Sequence, residues 1–196
     1  AELHLDEGSN TLDRCYRNLF AGAMKDLLDI TSRNNNAADK YICTILRVWS
    51  YQLFTDNVSD APYTEALKGS SLPNPKWDDG KTVMEGVLSE LDQDEAALGS
   101  ASITLKDPLM EKNLSQWKGF ANALRLRILR MIDGGIDAAG YTAKAKALVA
   151  ANAFFTDDVK FDVYTNAEGQ YSSWYGSIFR LKANNYVAAY PIVAYY

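Results

Sequence analysis

Chemistry needs nucleophiles, proton carriers or metal ligands at workable spacing, and this chain offers few of them. Its single histidine, His4, lies in a terminal segment, which leaves little room for histidine metal sites or for Ser-His and Cys-His catalysis. No glycine-rich phosphate loop, Cys-x-x-Cys or His-Glu-x-x-His pattern occurs. Asn166-Ala-Glu-Gly169 is similar to the middle of a calcium loop, yet Tyr164 takes the first ligand position and Tyr175 stands where a bidentate glutamate belongs. Acid–base work would fall to carboxylates. Asp56, Asp60 and Glu65 cluster near one loop, and glycoside hydrolysis needs two carboxyls at a fixed separation. Nothing in their pattern distinguishes them among 25 acidic residues. The residues therefore predict no catalytic group, no metal and no cofactor.

What the chain has in quantity is aromatic rings. Ten of its 23 aromatic residues fall in the last 37 positions, among them Tyr171, Trp174 and Tyr175, with Ser172 and Ser173 between them. Trp77 stands apart, in a proline-containing loop beside Asp78 and Asp79. Exposed tyrosine and tryptophan offer flat apolar faces with hydrogen-bonding rims, suited to stacking on sugar rings or gripping extended ligands. The competing reading is that the same rings pack loops onto the body of the protein. Tyr171, Trp174, Tyr175 and Trp77 are the candidate ligand-facing residues.

These rings need a scaffold. At 196 residues and 47% hydrophobic, the chain is large and apolar enough for a real core. A net charge of -5 argues against nucleic-acid binding. Apolar residues at three-and-four spacing predict helices over Leu12–Ile30, Ala37–Phe54, Lys81–Leu98, Asn113–Met131 and Ala143–Ala151. The second helix carries the stripe Ala38, Tyr41, Ile42, Ile45, Leu46, Trp49 and Leu53. The third has an acidic outer face (Glu85, Glu90, Asp92, Asp94, Glu95), and the fourth is basic, with Lys118, Arg125, Arg127 and Arg130. Such charges suit two antiparallel neighbours. A long loop, Tyr63 to Gly80, separates the second and third helices, and Asn113 is placed to cap the fourth. Cys15 and Cys43 are expected as two buried thiols, too far apart along a hairpin for a disulfide.

Helix starts about 30 residues apart fall in the range of helical-hairpin repeats such as tetratricopeptide (TPR) arrays. The fold class expected is mainly α, TPR-like stacked helical hairpins with long loops and a small irregular, strand-containing C-terminal stretch. Val159–Tyr164 alternates weakly like a strand, and Thr165–Gln170 reads as a turn. The organisation expected is a helical scaffold over 1–158 and an aromatic-rich irregular segment over 159–196, part of a ligand-binding region cut short.

Three stretches carry a family resemblance. Ser59-Asp60-Ala61-Pro62-Tyr63 follows an aromatic-rich helix, and Glu85-Gly-Val-Leu-Ser-Glu-Leu-Asp92 lies in the third helix. Gln116-Trp-Lys-Gly-Phe-Ala-Asn-Ala-Leu-Arg-Leu-Arg127 lies in the fourth. In this order they resemble the SusD/RagB-type outer-membrane lipoproteins, whose turn reads Gly-Asp-(Val/Ile)-Pro-Tyr; here Ser59 replaces the glycine. The resemblance covers roughly residues 37–160 and assigns no binding residue beyond it.

It implies a non-catalytic, surface-exposed protein of the bacterial outer membrane, lipid-anchored through an N-terminal cysteine that this chain does not begin with. Such proteins capture glycans, sometimes peptides, and act as the lid of a SusC-like TonB-dependent transporter barrel. The partners implied are that barrel and an oligosaccharide or peptide ligand. The alternative is a TPR-like protein–protein adaptor with no small-molecule ligand, and a weaker one is a fragment of a glycan-active enzyme.

Overall fold

The computed structural model describes residues 11–132, 138–161, 163–165, 167 and 170–172. The chain divides into two compact units, Ala1–Asp157 and Asp158–Tyr196. In the first, α1 (Thr11–Tyr16), a π-helical segment (Arg17–Ala23) and α2 (Met24–Arg33) form one helical arm. They are followed by α3 (Ala37–Val58), a 3₁₀ turn (Gly69–Ser71), α4 (Gly80–Ala96), α5 (Leu114–Ile132) and α6 (Ala138–Ala151). The architecture is a stack of TPR-like helical hairpins. Among the described residues there is no strand: Val159, Lys160, Phe161, Val163 and Tyr164 are irregular where the alternation over Val159–Tyr164 predicts one.

α3 is the centre. It packs against α2, α4 and α5, so it buries far more than one stripe: Thr44, Val48, Tyr51, Gln52 and Phe54 are inside as well. Trp49 and Leu53, expected inward, are 38% and 43% exposed, Trp49 meeting Phe120 of α5 edge-on at the margin of the packed face. Side chains set the helix starts. Asn36 Oδ1 accepts from the amides of Ala38 (2.9 Å) and Asp39 (3.1 Å), and Asp79 accepts from Thr82 N (3.0 Å). Asn113 accepts from Ser115 N (3.1 Å) and Gln116 N (3.2 Å) at α5, as its position predicts.

The Ser59–Tyr63 turn is a structural clamp. The amide of Asp60 donates to Val58 O (3.0 Å) across Ser59, whose φ of 73° and ψ of -57° make a strained γ-turn. This explains a glycine preference at the position. Tyr63 lays its ring over α4 where Gly86 has no side chain: a Cβ there would stand 2.2 Å from Tyr63 Cε1. Its hydroxyl donates to Glu90 Oε1 (2.7 Å), and Glu90 also pairs with Arg47 of α3. One tyrosine thus ties turn, α4 and α3 together. Ser59→Gly is expected to stabilise the protein by about 1 kcal/mol, the relieved strain exceeding glycine's entropy loss. A denaturation midpoint that stays put or falls would contradict this account.

α4 and α5 pair through charge, with a correction. The acidic face of α4 is not simply outward, because Asp94 is buried against Thr44 (Oγ1 to Oδ2, 2.6 Å) and Lys40 (3.0 Å). Arg125 of α5 is buried too, bonded to Asp92 (2.9 Å) and Glu95 (2.7 Å). Burial alone would lower its pKa, but Tyr41, Glu95 and Asp92 more than offset that and hold the guanidinium charged. Trp117 is buried, its indole N–H on Asp107 Oδ2 (2.6 Å). Asp107 also accepts from the amides of Leu109, Met110 and Lys112, each at 3.0 Å, and so shapes the loop before α5.

Cys43 is buried, and that burial pushes its thiol up to about 11. Cys15 is exposed, against expectation. The π segment beside it explains the difference: Met24 N reaches back to Leu19 O, and the extra residue in that turn rotates everything N-terminal to it. Both thiols are free.

Candidate functional site

Trp77 sits on a loop fastened at both flanks. Ala61 and Asp78 form an antiparallel bridge (Asp78 N to Ala61 O 3.0 Å, Ala61 N to Asp78 O 3.2 Å). The Asp78 carboxylate accepts from Thr64 N and Thr64 Oγ1, both at 2.8 Å, and pairs with Lys76 (3.2 Å). Burial would raise the Asp78 pKa, but the Thr64 bonds and Lys76 prevail and keep it below the usual range. Glu65 accepts from Lys76 N (3.0 Å), and Asp60 accepts from Gly80 N (3.2 Å). The carboxylates grouped by sequence near this loop therefore each hold backbone or a partner side chain. Asp56 does the same, with Gln52 and Arg127 (3.1 Å).

The indole rests on a ladder of rings. Tyr16 of α1 lies nearly parallel to it (centroids 6.1 Å, 15°), and Phe54 of α3 sits at 6.1 Å, tilted 46°. Behind them Tyr16 stacks on Phe20 at 4.7 Å, and Phe20 meets Tyr51 and Phe54 edge-on at 5.7 and 5.0 Å. Burial in this ladder raises the Tyr16 pKa, so the phenol stays neutral. With 52% of Trp77 exposed, one part of the ring is braced while the rest meets solvent. Such a surface stacks against an apolar ring face and carries out no proton transfer by itself.

Of the other sequence candidates, Tyr171 is half-buried in the second unit, while Trp174 and Tyr175 lie outside the described residues. Sequence reasoning missed Phe161 and Tyr164, which pack edge to face (5.6 Å, 76°) and are each about half exposed. Thr165 N donates to Gln170 O (2.8 Å), closing the turn expected there. Tyr16 and Phe54, which support the indole, carry no signal in the sequence that sets them apart from other aromatic residues of their helices.

The helical hairpins thus carry one braced, half-open aromatic ring at the surface. The family model described as SusD-like, starch-binding associating with outer membrane, matches residues 5–195, and the chain belongs to that family. Among solved structures, it is similar to a chitin-binding protein at 24% identity and TM-score 0.65, covering 79% of this chain and 34% of that one. A SusD-like protein of Bacteroidetes AC2a matches at 26% and 0.61, covering 82% and 31%. A SusD homologue of Bacteroides fragilis NCTC 9343 matches at 24% and 0.59, covering 83% and 35%. The chain spans about a third of the length of these structures. No curated protein matches its sequence.

Proposed function

We propose that this chain is the helical scaffold, over 1–158, of a non-catalytic outer-membrane binding protein, joined to an aromatic ligand-contacting segment over 159–196. It takes up glycan, or peptide, and presents it to a SusC-like TonB-dependent transporter as the lid of the barrel. The anchor in this reading is a lipid at the bacterial surface. The observation that carries the proposal is Trp77, whose indole is braced by Tyr16 and Phe54 and held between pinned loop ends with half its surface open. Pre-organised rings lose little freedom on stacking, so their binding contribution is not consumed by ordering. The family is described as starch-binding, and one similar structure is that of a chitin-binding protein; both polymers consist of rings with apolar faces. Tyr171, Trp174 and Tyr175 are the second set of stacking residues in this reading.

The test is calorimetry on the intact protein with starch- and chitin-derived oligosaccharides. Trp77→Ala is expected to weaken binding about tenfold, roughly 1.4 kcal/mol, and Trp77→Phe to restore most of it. Equal affinity for Trp77→Ala and the unaltered protein would remove Trp77 from the site. Turnover of the oligosaccharide during titration would overturn the non-catalytic reading.

A further inference from the structure

A second concavity lies away from Trp77. α4 and α6 both flank α5, and α5 packs on each of them, more closely on α6, but α4 and α6 pack little on one another. The result is a valley of about 780 Å³ with α5 as its floor. Each helix presents one face at three-and-four spacing: Leu88, Asp92, Glu95 and Ala96 from α4, and Lys118, Asn122, Arg125 and Leu129 from α5. α6 adds Lys144, Ala147, Leu148 and Ala151. Where α4 and α6 begin, Tyr141 of α6 donates to Glu85 of α4, and Lys81 stands over the Tyr141 ring, which bounds the valley at that end.

The charges inside are unequal. Arg125 is already matched by Asp92 and Glu95. Lys118 and Lys144 have no anionic partner among the described residues, so the valley holds three cations against two carboxylates in a chain of net charge -5. α5 and α6 run antiparallel, with Asn122 Nδ2 on Ala153 O (2.7 Å). Lys118 and Lys144 therefore stand towards opposite ends, roughly 15–20 Å apart along the axis at 1.5 Å per residue. The span from Lys118 to Leu129 is about three helical turns. The walls end in small or apolar side chains, Ala96, Ala147 and Ala151 among them, which let another backbone come close.

We infer that this valley receives an amphipathic helix of a partner protein, with an apolar stripe about three turns long and an acidic residue at each end of it. The helix would lie over α5 between α4 and α6, extending the hairpin stack by one element, a helix-in-groove mode. This site is independent of ligand capture at Trp77.

The probe is a synthetic 18-residue helical peptide with leucines at i, i+3, i+4, i+7 and i+11 and glutamates about three turns apart, labelled for fluorescence anisotropy against the intact protein. Binding is expected to weaken at least tenfold in the double variant Lys118→Glu, Lys144→Glu and to fall with salt. A peptide with lysine in place of those glutamates should ignore the unaltered protein and bind the double variant. That rescue separates a charge-reading site from loss of folding. No binding of the acidic peptide, equal binding of both peptides, or no effect of the double variant would overturn the inference. Two other occupants have their own signatures. In a Cys15→Ser background, Ala147→Cys that resists thiol labelling without peptide would show the valley filled by the protein's own chain. A dimer in sedimentation that the double variant dissolves would show a second copy there. Either result overturns the partner-helix assignment.

Discussion

Gly119→Ala is expected to destabilise the scaffold by about 3 kcal/mol and to lower the thermal midpoint by roughly 6–12 °C. A Cβ at Gly119 would stand 2.2 Å from Phe155 N, 2.6 Å from Phe154 C and 2.7 Å from Phe155 Cα. All three are backbone atoms, so no rotamer change makes room. Either α5 or the segment after α6 must move. That segment is fixed to α5 by Asn122 Nδ2 on Ala153 O (2.7 Å) and by both ends of the Gln116 amide. Gln116 Oε1 accepts from Thr156 N (3.1 Å), and its Nε2 donates to Asp157 Oδ2 (2.7 Å). Displacing the segment breaks these bonds and also parts the Phe120–Phe155 edge contact at 5.9 Å. Gly140→Ala is the control: in α6, with nothing within 4 Å of its Cβ position, it should be neutral or slightly stabilising. Hydrogen exchange gives a second reading, since amides over 152–157 should lose protection before the rest of the first unit. A midpoint for Gly119→Ala within 1–2 °C of the unaltered protein would refute the close approach.

The residues most legible in the sequence are those whose role is local. Helix periodicity places α3, α4 and α5 to within a few residues, and Asn113 announces the start of α5, because capping and amphipathicity act over a single turn. α6 begins at Ala138, earlier than its apolar pattern suggests, because Ala and Gly fill its first turn and leave no periodic signal. What one stripe per helix cannot show is a helix packed on three sides. For that reason Thr44 and Gln52 are buried while Trp49 and Leu53 are not.

The candidate site divides the same way. Trp77 stands out beside its prolines and aspartates, a short-range signal. Its supports Tyr16 and Phe54 come from two other helices, and only tertiary packing brings them under the indole. The motifs that carry the family resemblance prove to be joints of the scaffold: Tyr63 over Gly86, Gly119 against Phe155, and Arg125 between Asp92 and Glu95. Resemblance read from joints identifies the framework well and the ligand hardly at all. The valley between α4 and α6 left no sequence signal, since it exists because two helices fail to meet.

Asp39→Ala is expected to be the other severe change, costing about 3–5 kcal/mol, and its effect should depend on pH. Asp39 is buried in the first turn of α3. Its Oδ1 accepts from the amides of Thr104 (2.7 Å) and Leu105 (3.1 Å), and its Oδ2 from Asn34 Nδ2 (2.8 Å) and the Thr104 hydroxyl. This one carboxylate therefore holds the loop after α4 and the α2–α3 turn to the same point. Alanine would leave two backbone amides and two side-chain donors without an acceptor. Burial by itself would raise the Asp39 pKa, but the bonds from Thr104, Leu105 and Asn34 outweigh it and hold the carboxyl below its ordinary 3.8. A group with a depressed native pKa contributes its full stability above the unfolded value, near pH 4, and loses it as pH falls through the native pKa. The unaltered protein should therefore lose stability on acidification below about pH 4, with Asp39 a principal contributor. Asp39→Asn, which keeps the shape and removes the charge, should be less stable at neutral pH and show a shallower acid slope. The gap between the two proteins should narrow towards pH 2 in a series of urea unfolding curves. A constant gap across that range would mean that Asp39 acts through shape alone, and the electrostatic account of this junction would fail.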